Sequence, residues 1–207
     1  RTLLTIGRGG MEFALYDGLV TDAEIDHLKS LASTRLKKST VLGDNFSRAA
    51  SDVRTSEDTF LEVGCDPVVA ALEARISAVT GIPVECGEGL QILHYGTTQE
   101  YKPHFDFFDP ASQQEHAIMA ASGNRVGTMI LYLGEVERGG STYFPKLDLA
   151  VHPQRGQAVW FGYLRDGLLD ERSQHAGMPI LGGEKWIATK WFRERRFGSP
   201  PGATASS

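Results

Sequence analysis

From residue 89 onward the chain is a succession of short runs rich in aromatic and aliphatic residues, cut apart by Gly and Pro. This texture narrows the choice of fold more than any other feature, because such runs read as strands. They fall at residues 89–95, 100–107, 125–133, 141–144, 157–163 and 186–192. Two helices are predicted ahead of them. Thr21-Asp22-Ala23-Glu24 has the form of a capping box, and Ile25, Leu28, Leu31 and Ala32 follow at helical spacing, which predicts a helix over 22–36. Asp66 as N-cap and Pro67 at the first helical position open a second, with Val68, Val69, Leu72, Ile76 and Val79 along it and Gly81 with Pro83 to close it. Short strands after two helices predict a mainly β fold, a β-sandwich or jelly roll with the N-terminal helices packed outside.

At 207 residues the chain is long enough for one substantial core and short for two. One domain over 1–197 is expected, followed by a flexible tail at 198–207 made of Gly, Pro, Ala and Ser. Between the helices, residues 39–59 are polar and aperiodic and read as a surface loop that is also the candidate for a mobile lid. A formal charge of -5 and a pI near 5.7 argue against a nucleic-acid binder. Arg193, Arg195 and Arg196 read as a solvated edge. No apolar run approaches the ~18 residues that span a bilayer, so no membrane partner is expected. The chain opens on Arg1 rather than Met, which points to a trimmed or processed start. Cys65 and Cys86 have neither metal-ligand nor redox spacing and read as structural or free thiols, which makes a reducing cytoplasm the expected compartment.

The chemistry-bearing feature is His104-Phe105-Asp106 with His175 and Lys185. Residues two apart on a strand share a face, so His104 and Asp106 can point the same way. His175, close to the turn before the 186–192 run, is the candidate third ligand. Two imidazoles and one carboxylate cover one triangular face of Fe(II) and leave three positions open for a co-substrate and dioxygen. Lys185 is then a cation placed to hold the far carboxylate of a dicarboxylic co-substrate. Taken singly, His104 reads equally as a strand-end histidine and Asp106 as a turn former ahead of Asp109-Pro110. Zinc is the rival metal, but the chain has no His-Glu-x-x-His pattern.

Read together, Leu90-Gln91-Ile92-Leu93-His94-Tyr95, Tyr101-Lys102-Pro103-His104-Phe105-Asp106, Thr128-Met129-Ile130-Leu131-Tyr132-Leu133, Gly139-Gly140-Ser141-Thr142 and Lys185-Trp186-Ile187-Ala188-Thr189-Lys190-Trp191 resemble the catalytic domain of the prolyl 4-hydroxylase family. The resemblance extends more loosely to about residue 193 and includes Arg54-Thr55-Ser56. It implies a double-stranded β-helix core (jelly roll, cupin-like) and an Fe(II)/2-oxoglutarate-dependent dioxygenase. Such an enzyme hydroxylates proline residues in peptides or proteins with O2, releases succinate and CO2, and uses L-ascorbate to keep its iron reduced. By motif position, His104, Asp106 and His175 are the implied iron ligands. Lys185 completes the implied catalytic set and binds the distal carboxylate of 2-oxoglutarate, helped by Tyr95 and Thr128. A lysine here, where related hydroxylases carry arginine, matches the prolyl 4-hydroxylase branch, and the two cations are not interchangeable.

On the peptide side the resemblance implies that Tyr101, Arg125 and Trp191 line the substrate groove, with Glu88 and the Arg54 loop nearby. Phe192-Arg193 follow Trp191 where the family pattern has a histidine that helps hold the peptide. Three other readings stay open at this point. One is a 2-oxoglutarate-dependent hydroxylase of a free amino acid or small metabolite. Another is a non-catalytic cupin-like binding module, and the last a zinc hydrolase on a β-scaffold.

Overall fold

Helix α1 (Asp22–Ser33) begins where Thr21 Oγ1 accepts from the Glu24 amide and the Glu24 carboxylate accepts in return from the Thr21 amide. Helix α2 (Pro67–Thr80) is capped by Asp66, whose Oδ1 accepts from the amides of Val68 and Val69 at 2.8 and 2.9 Å. It ends at Gly81 in the left-handed region (φ 72°). Arg75 on α2 forms a two-pronged pair with Glu24 on α1, both contacts 2.9 Å, which ties the helices side by side. The computed structural model describes residues 1–6, 11–42, 48–50, 54–165 and 167–198.

Twelve strands build two antiparallel sheets. In chain order they are β1 (Thr2–Ile6), β2 (Glu12–Tyr16), β3 (Lys37–Lys38), β4 (Glu57–Leu61), β5 (Leu90–Tyr95), β6 (Tyr101–His104), β7 (Arg125–Tyr132), β8 (Thr142–Phe144), β9 (Leu149–Val151), β10 (Ala158–Gly162), β11 (His175–Gly177) and β12 (Lys185–Arg193). The larger sheet runs β1-β2-β10-β7-β12-β5-β4-β3, and the smaller β9-β8-β11-β6. Period-2 alternation decides what each face meets. On β7, Met129 and Leu131 join Leu28, Leu72 and Ile76 of the helices in one apolar cluster, while Ile130 and Tyr132 join Phe144 of the smaller sheet in a second. The helices therefore cover one face of the larger sheet, and the smaller sheet covers the other. This is the jelly-roll layering, and the space between the sheets is where side chains of β5, β6, β11 and β12 meet.

Both predicted helices and all six predicted strand runs are found, with shifted ends. The first helix stops at Ser33 rather than 36, and the run at 100–107 keeps strand form only over Tyr101–His104. The N-terminal pair β1 and β2, strands β3, β4, β9 and β11, and helix α3 (Gln113–Ser122) were not anticipated. Strand β4 lies partly inside 39–59, so that stretch is not a plain loop. Its ends are tied by β3 pairing with β4 and by a bridge from Arg54 to Tyr101, and Thr40–Leu42 pairs with Arg48–Ala50. Residues 43–47 and 51–53 of the expected lid, and 199–207 of the expected tail, lie outside the described residues. Cys65 and Cys86 are free thiols. No helix among the described residues is long and apolar enough to cross a membrane.

Candidate metal centre

His104 ends β6 and His175 opens β11, and the antiparallel register sets them directly opposite each other with ring centroids 4.3 Å apart. Asp106 lies just past the end of β6, in a bend rather than on the strand that the spacing suggested. It still reaches the same point: Asp106 Oδ1 is 3.5 Å from His104 Nε2 and Oδ2 is 3.6 Å from His175 Nε2. One ligand atom from each residue falls within 4.8 Å of the others, the one such His/Cys/Asp/Glu grouping found among the described residues.

The hydrogen bonds around these groups define their chemistry. His104 Nδ1 is 2.9 Å from the Lys102 carbonyl and His175 Nδ1 is 3.0 Å from the Ser173 carbonyl. A carbonyl only accepts, so both Nδ1 atoms carry the proton and both Nε2 lone pairs face Asp106. Burial pushes the His175 pKa down to about 4, leaving it neutral at neutral pH. Burial raises Asp106, but positive charge beside it, on His175 and His104 when they are protonated and on Arg125 throughout, outweighs that and holds its carboxyl well below the usual range. Two lone pairs and a carboxylate thus converge with no proton to share, an arrangement that a cation resolves. The donor set, two imidazoles and one carboxylate on one side, fits Fe(II) with open positions.

Each converging group is braced. Thr128 Oγ1 donates to Asp106 Oδ2 at 2.7 Å and lies 3.2 Å from the Tyr163 hydroxyl. Arg125 Nη1 donates to the Asp106 carbonyl at 3.1 Å, while its Nε and Nη2 grip both oxygens of Glu88. The Tyr101 ring stacks on His104 with centroids 3.5 Å apart and planes within 15°. Phe161 and Phe144 wall in His175.

A cavity runs from this cluster along the inner face of β12, lined in turn by Lys185, Ile187, Thr189 and Trp191, with Tyr95, Leu93 and Gln91 of β5 beside them. At one end Lys185 is 2% exposed and donates to the Gly140 carbonyl at 2.6 Å. No carboxylate pairs with it among the described residues, and burial alone lowers its pKa from 10.5 to about 7. A buried ammonium without a counter-ion, beside a three-acceptor metal cluster, is suited to a ligand that chelates the metal and carries a second carboxylate.

A family model described as the 2OG-Fe(II) oxygenase superfamily matches residues 90–193. Prolyl 4-hydroxylase 2 of Arabidopsis thaliana is 39% identical over 206 residues, covering 88% of this chain and 67% of that protein. The chain belongs to the prolyl 4-hydroxylase family. Prolyl 4-hydroxylase subunit alpha-2 of Gallus gallus is 37% identical over 91% of this chain but only 36% of its own length. Among solved structures, the viral collagen prolyl hydroxylase of Paramecium Bursaria Chlorella virus-1, in its 2OG complex, superposes with a TM-score of 0.69 at 26% identity, covering 87% of this chain and 95% of that one.

Most of the residues that the family pattern singles out share the cavity: Tyr95, Tyr101, His104, Asp106, His175, Lys185, Trp191 and Arg54 all line it. Three do not. Thr128, expected beside the co-substrate, lies outside the lining and commits its hydroxyl to Asp106; Thr142 on β8 lines the cavity instead. Glu88 and Arg125, expected in the peptide groove, are locked to each other behind Asp106. Arg193, read as part of a solvated edge, is 4% exposed and bonds Glu88 and the Gly123 and Ile118 carbonyls at the end of α3. Sequence reasoning also passed over Gln91 and Thr189. Both alternate in phase with Lys185 and Trp191 across paired strands, so the signal existed once the pairing was known.

Proposed function

We propose that this chain hydroxylates proline residues in peptides or proteins, with residues 1–197 acting as one catalytic domain. His104, Asp106 and His175 are the proposed Fe(II) ligands, and Lys185 the partner of the distal carboxylate of 2-oxoglutarate. The observation that carries this reading is the buried ammonium of Lys185, with no carboxylate partner among the described residues, in the same cavity as three converging acceptors. The cavity also outruns the co-substrate: the seven residues of extended strand from Lys185 to Trp191, all but the even-numbered ones lining it, span about 20 Å. That length leaves room for a second, extended substrate and favours a peptide over a free amino acid.

When bound, Fe(II) and 2-oxoglutarate supply the oxidising power that places an oxygen atom from O2 on a C–H carbon, with succinate and CO2 leaving. The protein's part is holding, orienting and excluding water. The Nδ1–H bonds of His104 and His175 keep both rings from turning away from the ion. Lys185 gives the co-substrate a charge-assisted bond in a setting screened from water by Leu93, Ile130 and Ile187. The Tyr101 ring is held in place by its stack on His104 and by the Arg54 guanidinium 5.0 Å over it. Incubation with proline-containing peptides, Fe(II), 2-oxoglutarate and ascorbate tests the reading. The expected result is one added oxygen per succinate formed; succinate without peptide oxidation across a broad panel refutes it.

A further inference from the structure

The ladder that sets His104 opposite His175 stops before Asp106. Asp106 and Phe107 form a bend, and residues 106–108 make no backbone-to-backbone hydrogen bond among the described residues. The carboxylate of the metal cluster therefore sits on a segment that regular secondary structure does not hold. Side chains hold it instead. Buried Asn124 stands in for a neighbouring strand: its Oδ1 accepts from the Phe108 amide and its Nδ2 donates to the Phe108 carbonyl, both at 2.8 Å. The same Oδ1 accepts from the Arg125 amide at 2.8 Å, and two donors settle which amide atom is the oxygen. The Phe108 ring lies against two guanidiniums, those of Arg125 and Arg193, at 5.0 and 4.9 Å.

Arg193 joins these contacts. Its Nε and Nη2 donate to the Gly123 carbonyl at 3.0 and 2.6 Å, Nη2 also to the Ile118 carbonyl at 2.9 Å, and Nη1 to Glu88 Oε1 at 3.1 Å. It thereby fixes the end of α3 just ahead of Asn124 and, through the Phe108 ring, the segment just after Asp106. Glu88 brings one negative charge to two guanidiniums, and the electron-rich ring of Phe108 is a second attractive partner for both. We infer that Arg193 is a positioning residue for the metal centre: through Phe108 and Asn124 it presets the bend that presents Asp106, so the iron site is formed before iron arrives. This rests on the iron-ligand reading above. None of the three side chains lines the cavity or belongs to the ligand cluster, so each acts through Asp106 alone. A carboxylate on an untethered bend has to be ordered when the ion binds, and that ordering weakens the site.

Titration of the full chain with Co(II), followed by visible absorption, is the test, because Co(II) reports affinity and ligand geometry together. Arg193→Met and Asn124→Asp are each expected to bind Co(II) about 10- to 100-fold more weakly, with a shifted spectrum. Asn124→Asp is the sharper of the two, since it changes one group and sets an acceptor against the Phe108 carbonyl. Phe108→Leu should lose affinity as well, and Phe108→Tyr, which keeps a ring against both guanidiniums, should retain it. Asp66→Ala is the control: it uncaps α2, on the other face of the larger sheet, and should bind Co(II) as the parent does. If Arg193→Met does not fold, Asn124→Asp and the two Phe108 variants decide the matter. Parent-like affinity and spectrum in Arg193→Met, Asn124→Asp or Phe108→Leu, equal losses in the two Phe108 variants, or an equal loss in Asp66→Ala overturns the inference while leaving the ligand assignment intact. A parent that binds no Co(II) overturns both.

Discussion

Replacing Lys185 with Met should make the protein more stable while it destroys co-substrate affinity. The ammonium is 2% exposed, and burial lowers its pKa from 10.5 to about 7. At about 1.36 kcal/mol per pH unit, that drop corresponds to roughly 5 kcal/mol of destabilisation when the group is charged. Methionine fills similar space without charge, and losing the bond to the Gly140 carbonyl gives back about 2 kcal/mol. A net gain of about 3 kcal/mol remains, or roughly 6–12 °C in Tm for a domain of this size. The pH dependence follows from the direction of the shift. Between its folded and unfolded pKa values the unfolded chain binds more protons at this site, so the parent grows more stable as pH rises from about 7 toward 10.5, and the variant lacks that increment. The stability gap should therefore shrink by about 2 kcal/mol between about pH 7 and about pH 9. Thermal melts of metal-free protein at the two pH values measure it, and titration with 2-oxoglutarate should show roughly a hundredfold weaker binding in the variant. A Met variant no more stable than its parent at neutral pH, or a gap that does not close, refutes the reasoning.

Single Ala substitutions of His104, Asp106 or His175 should abolish Fe(II)-dependent succinate formation while leaving the circular dichroism spectrum unchanged; full turnover in any one contradicts the ligand assignment. Thr128→Val removes the donor to Asp106 Oδ2 at nearly constant volume and should weaken iron binding about 10- to 100-fold, read by metal titration. Affinity for 2-oxoglutarate in the parent should fall as pH rises above about 7, because the free site loses the Lys185 proton that binding must restore. On the helix side of β12, Lys190 donates to Glu73, both 1% exposed. Lys190→Met alone should cost about 3–5 kcal/mol in urea unfolding, and adding Glu73→Leu should recover most of it.

Local chemistry made the helices legible: a capping box at Thr21, an Asp-Pro start at Asp66 and a glycine stop at Gly81 each act within a few residues. Ser112 and Glu115 carried the same kind of signal for α3, and the Ser112 hydroxyl does accept from the Glu115 amide, but the surrounding polar run hid it. The metal cluster and Lys185 were legible because only a few residue types can ligate iron or pair with a buried carboxylate. Which side chains share a surface is another matter, because it depends on strand order between segments far apart in the chain. Strand β12 is buried on both faces, so its alternation is invisible in composition. Parity alone puts Lys185 and Lys190 on opposite sides, yet nothing local says which side faces His175 and which faces α2. Pairing β12 between β7 and β5, and β11 against β6, settled that. It set the Thr128 hydroxyl against Asp106, paired Glu88 with Arg125, and placed Gln91 along the cavity, because long-range register rather than neighbourhood in the chain decides what a buried side chain touches.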